Sequence, residues 1–225
     1  MDSEASSKIL ISESNNSRVY RIQSANSKKS RIVKSSKISD LSGLYNEFQI
    51  MDDNLLEFAH PEMKFEDSKT VFTRDFIEGI TLRQLLKRDE AGLECFLKYA
   101  LPITEALFKI HEKKIIHNDL TPDNIIINEE EAIAYLIDFE LSTELDVTES
   151  GSTLNFDLKA NLPYISPEQT GRMNRLVDYR SDYYSLGICF YEMLSGHPPF
   201  TSNDPLEIVY AHLAHIPPTI SKHNN

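Results

Sequence analysis

The segment HNDLTPDN, residues 117–124, contains two side chains whose types and spacing could serve phosphoryl transfer. Asp119 is a carboxylate that could orient an acceptor hydroxyl or take its proton, and Asn124 offers an oxygen that suits a hard cation such as Mg²⁺. Asp138 follows an apolar run in LIDFE and would supply a second metal ligand. Each residue alone is more commonly a surface or turn residue, but their joint spacing makes coincidence improbable.

A lysine and a glutamate near the start of the chain could provide the fixed cation that phosphate groups require. Lys34 follows two apolar residues on a predicted strand, and Glu47 lies thirteen residues later on a predicted helix. This spacing fits an ammonium group held on the α- and β-phosphates by an ion pair. On these two residues alone, a pair of solvated charges is an equal alternative, because lysine is frequent in residues 27–37.

The first part of the chain, residues 8–73, predicts the elements that would carry Lys34 and Glu47. Its short alternating pattern is typical of a small, mostly antiparallel sheet. The predicted strands are KILIS, RVYRIQ, SRIVKS and TVFTRDF, and ISDLSGLYNEFQIMDDNLL is a predicted amphipathic helix. Gly79 marks the connection that follows.

The remainder of the chain predicts mainly helices. LECFLKYALPITEALFKIHEKK has helical apolar spacing, with a predicted buried stripe of Leu97, Ala100, Leu101, Ile103, Leu107 and Ile110. Two β-like runs, NIIIN and AYLIDF, flank an acidic turn, and DYYSLGICFYEMLSG predicts a later helix. A segment of about thirty residues, 138–168, connects them, and ordered domains seldom carry so long a loop without using it.

Composition restricts the classes of partner. The chain has 225 residues, enough for one large domain or two small lobes, and a formal net charge of −12. That charge disfavours nucleic acid and anionic membrane surfaces as partners, and we interpret the basic run at 27–37 as a turn and strand with a solvated edge. Cys95 and Cys189 lie in apolar helical contexts, which favours a reducing, cytoplasmic setting over a disulfide framework.

These residues together resemble the protein kinase family over nearly the whole chain. The matching positions are Val19, Lys34, Glu47, the segment His117 to Asn124, Asp138, Phe139, the Ser166-Pro167-Glu168 triplet and DYYSLG from Asp182. The resemblance implies an α+β, bilobal protein-kinase-like fold in a single kinase domain, residues 1–225. Its N-lobe, 8–75, would be a small antiparallel sheet with one helix, and its mainly helical C-lobe, 76–225, is incomplete at the C-terminus.

The resemblance also implies an activity, in which ATP and Mg²⁺ bind between the lobes and the γ-phosphoryl group passes to a Ser or Thr hydroxyl of a protein in signalling. Asp119 would orient the hydroxyl, Asn124 and Asp138 would hold metal, and Lys34, braced by Glu47, would hold the phosphates. The nucleotide-contacting residues that it implies are Ser12, Ser14 and Ser17 at the phosphates, Val19, Ile32 and Ile126 on the adenine ring, Thr73 behind it, and the backbone of Arg74 and Phe76 at its edge.

The segment LPYISPEQTGRMNRLVDYRSDYYSLGICFYEMLSGHPPF is similar to the kinase-like domain of large sensor proteins that also carry ATPase, GAF and histidine-kinase modules. Such modules in a longer relative are therefore further expected partners. A small-molecule phosphotransferase is the less favoured alternative, because it would need HNDLTPDN and Asp138 but has no need for the SPEQ segment.

Several positions depart from the kinase pattern. Serines replace the three glycines of the phosphate loop, and Glu140 replaces the glycine of Asp-Phe-Gly. Asn118 stands in place of the arginine that pairs with a phosphorylated residue of the activation loop, and Thr121 stands in place of a lysine. In the kinase pattern an arginine pairs with the glutamate at position 168, and no obvious arginine partner for Glu168 is found in this sequence. A pseudokinase that binds nucleotide with little catalysis is therefore the alternative from a different class.

Overall fold

The computed structural model describes residues 7–13, 17–23, 30–37, 42–52, 60–66, 69–88, 91–145 and 161–220. Its contacts divide the chain into two units. The first unit is Met1–Glu78 with Phe139–Leu141, and the second is Gly79–Asp138 with Ser142–Asn225. Each unit has its own buried apolar side chains, such as Phe72 in the first and Ile103 in the second.

A five-stranded antiparallel sheet forms most of the first unit. Its strands are β1 (Ser7–Glu13), β2 (Ser17–Gln23), β3 (Ser30–Lys37), β4 (Glu62–Glu66) and β5 (Lys69–Asp75), in the spatial order β1-β2-β3-β5-β4. On β3, Ile32 and Lys34 are buried, since alternate side chains of a strand share one face. The four predicted strands are confirmed. β4 was not predicted, because its sequence EMKFE has only two apolar residues.

One helix, α1 (Ser42–Ile50), belongs to the same unit and confirms the predicted helix. Its buried residues are Leu44, Glu47 and Ile50, which recur every three residues along one face. Glu47 is fully buried, so its carboxylate is held away from water. The predicted extensions of this helix at 38–41 and 53–56 lie outside the described residues.

The second unit is mainly helical. Its described helices are α2 (Leu82–Leu86), α3 (Leu93–Glu112), α4 (Tyr179–Ser195) and α5 (Pro205–Ala214), and its short strands are β6 (Ile80–Thr81), β7 (Ile115–Ile116), β8 (Ile125–Asn128), β9 (Ile133–Leu136) and β10 (Thr143–Glu144). The order β6-β8-β9 forms one antiparallel sheet and β10-β7 the other. β8 and β9 confirm the two predicted β-like runs. Within the part of the chain that the structure describes, no helix has the length and apolar character needed to cross a membrane.

The predicted buried stripe of α3 is partly wrong. Ile103, Leu107 and Ile110 are buried, but Leu97 and Leu101 are 69% and 65% exposed. The helix instead buries Cys95, Tyr99 and Ala106 with the three correctly predicted residues. Because α3 carries apolar residues on two sides, periodicity alone did not determine which side faces the core.

Gly79 has a conformation that the other residue types rarely adopt. Its φ is +145°, and a Cβ at this position would lie 2.4 Å from the carbonyl oxygen of Ile127 on β8. Neither the backbone angle nor the space admits a side chain. Glycine therefore allows the chain to enter β6 closely packed against β8.

Candidate active site

The candidate catalytic loop, residues 117–124, is positioned by two short strands, since β7 ends at Ile116 and β8 begins at Ile125. The Asn124 side-chain nitrogen donates to the Asp119 backbone oxygen at 2.8 Å and to Asp119 Oδ2 at 3.0 Å. Asn161 Nδ2 donates to the other carboxylate oxygen, Asp119 Oδ1, at 3.2 Å. Three donated hydrogen bonds therefore fix the orientation of Asp119.

Neighbouring groups shift the pKa of the Asp119 carboxyl in both directions. Burial raises this pKa and the nearby charge of Asp138 raises it further, while the charge of His117 and the hydrogen bonds from Asn161 and Asn124 lower it. A bound divalent cation would relieve the repulsion between the two carboxylates. Because both donated bonds of Asn124 come from its nitrogen, its amide oxygen is the atom left to serve as a ligand. This donor set suits Mg²⁺, which prefers oxygen ligands.

Asp182, in the first turn of α4, holds the catalytic loop in place through hydrogen bonds to backbone N–H groups of the loop. Its Oδ2 accepts the N–H of His117 at 2.8 Å, and its Oδ1 accepts the N–H of Asn118 at 2.9 Å. His111 Nε2 lies 2.8 Å from Oδ2. Asp182 is only 1% exposed, so these bonds satisfy a carboxylate and two amides that water does not reach.

Asn118 and Thr121 replace cationic residues of the kinase pattern, and both side chains are buried. Asn118 has a φ of +64°, and its Nδ2 donates to Thr143 Oγ1 at 3.0 Å. The Gln169 side chain donates to the Asn118 carbonyl at 2.7 Å. Asn118 therefore joins the loop to β10 and to the segment after 161 by neutral hydrogen bonds. Thr148, Ser150 and Thr153, further along the segment that follows Asp138, lie outside the described residues.

Glu168 has a partner that the sequence did not reveal. The Ser181 hydroxyl, in the first turn of α4, donates to Glu168 Oε1 at 2.5 Å. Ser181 is 1% exposed, so this bond is shielded from water. A neutral hydroxyl is therefore a partner of the Glu168 carboxylate.

A buried charged network close to the loop was also missed. Arg83 of α2 pairs with Glu192 of α4, and the Tyr164 hydroxyl donates to Glu192 Oε2 at 2.5 Å. Arg83 Nη2 donates to the Tyr164 oxygen at 2.5 Å, and Arg83 Nε donates to Asp123 Oδ2 at 3.1 Å. Burial raises the pKa of the Tyr164 hydroxyl well above its ordinary value. A lone arginine or tyrosine gives no sequence signal for such a long-range pairing.

Tyr164→Phe tests how much this network contributes to stability. Removing the hydroxyl leaves Arg83 and Glu192 each without one bond in a buried setting, so we expect the free energy of unfolding to fall by about 2 kcal/mol. Urea unfolding monitored by circular dichroism measures the change. Tyr183→Phe is the control, because its ring is 47% exposed and we expect a change below about 0.5 kcal/mol there. Equal losses in the two variants would contradict the prediction.

Lys34 and Glu47, which the sequence predicted as a pair, are brought together in the first unit. Lys34 Nζ lies 2.6 Å from Glu47 Oε2, and both residues are buried. Glu140 also contacts this lysine, with its Oε1 3.1 Å from Nζ. The ammonium group is therefore in contact with two carboxylates.

The positions expected around the nucleotide are placed as follows. Ser12 lies exposed on β1, and Ser17 begins β2, whereas Ser14 lies outside the described residues. Val19 on β2 pairs with Lys34 on β3, where Ile32 is 5% exposed. Thr73 lies on β5, and Ile126 is half-buried on β8 of the second unit. Asp138 follows β9 and has a φ of +70°.

The expected adenine contacts of Arg74 and Phe76 do not fit the strand register. The Phe76 N–H donates to the carbonyl of Ser30 at 3.0 Å, and Arg74 pairs with Ile32 two residues further along. In an antiparallel ladder, residues two apart direct their backbone groups to the same neighbouring strand. The backbone groups of Arg74 and Phe76 therefore face β3, and those of Asp75 and Ile77 face the opposite way.

Comparisons of the sequence with known proteins indicate one family. The sequence pattern of the family described as Protein kinase domain matches residues 9–224. The chain is similar to the Probable serine/threonine-protein kinase PknB of Bifidobacterium longum, at 35% identity over 144 residues, 63% of this chain and 20% of that protein. It is also similar to the Serine/threonine-protein kinase PknB of Mycobacterium tuberculosis, at 32% identity over 148 residues, 64% of this chain and 23% of that protein.

A third relative is the Probable serine/threonine-protein kinase CPE1738 of Clostridium perfringens, at 31% identity over 156 residues, 68% of this chain and 22% of that protein. The alignments thus span about a fifth of the length of these curated relatives. The activities, substrates and partners of the full-length relatives therefore cannot be transferred directly to this chain.

Proposed function

Because this chain belongs to the protein kinase domain family, we propose that it transfers the γ-phosphoryl group of ATP to a Ser or Thr hydroxyl of a protein. The observation that carries the proposal is Asp119, whose carboxylate is oriented by Asn124 and Asn161 on a loop that Asp182 braces. The relatives are all named as serine/threonine-protein kinases, which supports a Ser or Thr acceptor.

Each residue has a distinct part in this proposal. Asp119 accepts a hydrogen bond from the acceptor hydroxyl and directs its oxygen toward the phosphorus atom. Lys34 places its ammonium group on the phosphate oxygens, and Glu47 holds that ammonium group in position. Asn124 and Asp138 are the residues that would hold Mg²⁺. The metal, when bound, neutralises charge on the phosphate oxygens.

The strand register changes the assignment at the adenine edge. We assign the backbone of Asp75 and Ile77 to the adenine in place of Arg74 and Phe76, because only the former pair faces away from β3. The Asp75 carbonyl already accepts a bond from Arg74 Nη1 at 3.1 Å, so the Ile77 N–H is the stronger candidate.

The proposal extends to the organisation of the chain. It includes an N-lobe at 8–75, a C-lobe at 76–225, a cytoplasmic setting and a protein substrate. Attachment to sensor, ATPase or histidine-kinase modules stays a prediction.

A transfer assay tests the proposed function. Radiolabelled ATP, Mg²⁺ and a generic basic protein are incubated with the wild type and with Asp119→Asn, and the labelled residues are identified after hydrolysis. We expect phosphoserine or phosphothreonine with the wild type alone. Label on tyrosine would overturn the acceptor assignment.

A pseudokinase is the second candidate, and the contact between Glu140 and Lys34 specifically favours it. In this case Mg·ATP would raise the melting temperature, yet transfer by the wild type would not exceed the Asp119→Asn background. The same preparation therefore separates the two candidates.

Asn161→Ala tests the assignment of Asp119 through pH. The hydrogen bond from Asn161 lowers the pKa of Asp119, so its removal should raise that pKa further above the ordinary value. Since the ionised carboxylate is the active form, activity falls as the pH drops through this pKa, and the acid limb of the kcat/KM profile should move to higher pH. Asn161→Ser keeps a donor and should remain nearer the wild type. An unmoved acid limb in Asn161→Ala would contradict the assignment.

A further inference from the structure

Glu140 contacts the same ammonium group that is assigned to the phosphates. Lys34 Nζ is 2.6 Å from Glu47 Oε2 and 3.1 Å from Glu140 Oε1. One positive charge therefore faces two negative charges. At these distances each carboxylate accepts a charge-assisted hydrogen bond, which is stronger than a neutral one.

Glu140 is held in this position by α1. Asn46 Nδ2 donates to the carbonyl of Phe139 at 3.1 Å and to the carbonyl of Glu140 at 3.2 Å. The Phe139 ring is fully buried, which anchors the same segment. Gly43 lies so close that a Cβ there would be 3.1 Å from Glu140 Oε2. The contact is thus part of the packing of α1, and the glutamate is not simply extended into solvent.

The two carboxylates differ in their access to water. The Glu47 side chain is fully buried, whereas that of Glu140 is 39% exposed. If Glu47 left Lys34, its carboxylate would become an unpaired charge in a buried position, which is costly. Glu140 can leave Lys34 because water can hydrate its partly exposed carboxylate. A phosphate oxygen that reaches the ammonium group therefore replaces Glu140 and leaves Glu47 in place.

We propose that Glu140 sets the affinity of this site for polyphosphates by competing with them for Lys34. The inference rests on the proposed function, in which Lys34 binds the phosphates of ATP. It makes Glu140 a determinant of ligand affinity. The general kinase pattern has glycine at this position and assigns it no such role. The competition acts on charged ligands and leaves an uncharged nucleoside unaffected.

Titration calorimetry with ATP and with adenosine tests this inference, each in EDTA and in Mg²⁺. The proteins are the wild type, Glu140→Gln, and the control Glu105→Gln, which makes the same charge change at an exposed position on α3. We expect Glu140→Gln to bind ATP about tenfold more tightly, the scale of one partly exposed charged hydrogen bond. Adenosine affinity should be the same in all three proteins. Glu140→Asp, which keeps the charge but shortens the side chain, should fall between the wild type and Glu140→Gln.

Each contrary outcome has a distinct meaning. Equal ATP affinity in the wild type and Glu140→Gln would overturn the competition while leaving the proposed function intact. Weaker binding of Mg·ATP by Glu140→Gln would also overturn it, because Glu140 would then be assisting the cation. If neither the wild type nor any variant bound ATP or adenosine, the proposed function itself would fail and the inference with it.

Discussion

Replacing Asp119 with asparagine is expected to lower kcat for phosphoryl transfer by about 10²- to 10⁴-fold, the usual contribution of a general base. Asparagine keeps the size of the side chain but cannot accept a proton, and its nitrogen would face the amide donors of Asn124 and Asn161. Affinity for ATP should change little, because Lys34 and the adenine contacts remain. Single-turnover transfer and a parallel ATP titration measure the two effects separately.

Asp123→Asn is the matched control for this prediction. Asp123 lies on the same loop, and its exposed carboxylate accepts a bond from Arg83. We expect it to retain transfer within about threefold, since exposed ion pairs contribute less than about 1 kcal/mol. Comparable losses in both variants would indicate damage to the loop and would contradict a specific role of Asp119.

Asp182→Ala is expected to give the largest loss of stability among single substitutions near the site, about 3–5 kcal/mol in the free energy of unfolding. The substitution leaves the N–H groups of His117 and Asn118 buried without their acceptor, and it removes the partner of His111. Because those amides orient the loop, the remaining folded protein should also lose transfer. Urea unfolding with circular dichroism measures the stability.

Two comparisons make the Asp182 prediction specific. Asp182→Asn keeps one acceptor oxygen, so we expect a smaller loss of about 2 kcal/mol. Asp178→Asn changes the residue that caps the start of the same helix, and asparagine caps equally well, so stability should fall by less than about 1 kcal/mol. If Asp182→Ala were no less stable than Asp178→Asn, the bracing role would be wrong.

The elements and the pairing of functional residues could be predicted because their signals are local. Alternating apolar residues identified β2 and β3, and the distance along the chain from Lys34 to Glu47 predicted an ion pair that the structure forms at 2.6 Å. The loop 117–124 was recognisable for the same reason. Its two key side chains, Asp119 and Asn124, are five residues apart, and a hydrogen bond joins them inside the loop.

The remaining features depend on contacts between distant parts of the chain, which composition and spacing do not encode. Arg83 and Glu192 are separated by 109 residues, and the hydrogen bond from Ser181 to Glu168 joins two side chains that no sequence pattern pairs. The change of the proposed adenine contacts from Arg74 and Phe76 to Asp75 and Ile77 has another cause. A shift of one residue along a strand reverses the direction of every backbone group, and only the observed pairing with β3 fixes that direction.

Gly43 suggests how this site constrains substitution over evolution. Glycine is a poor helix former, yet it lies in the first turn of α1, where an alanine Cβ would press on the Cβ of Glu140 at 3.2 Å. Positions 43 and 140 are thus sterically linked although 97 residues separate them along the chain. A lineage with glycine at 140 would free position 43 to gain helix propensity, whereas a lineage with glutamate at 140 could do so only if Glu140 or α1 moved by a few tenths of an ångström.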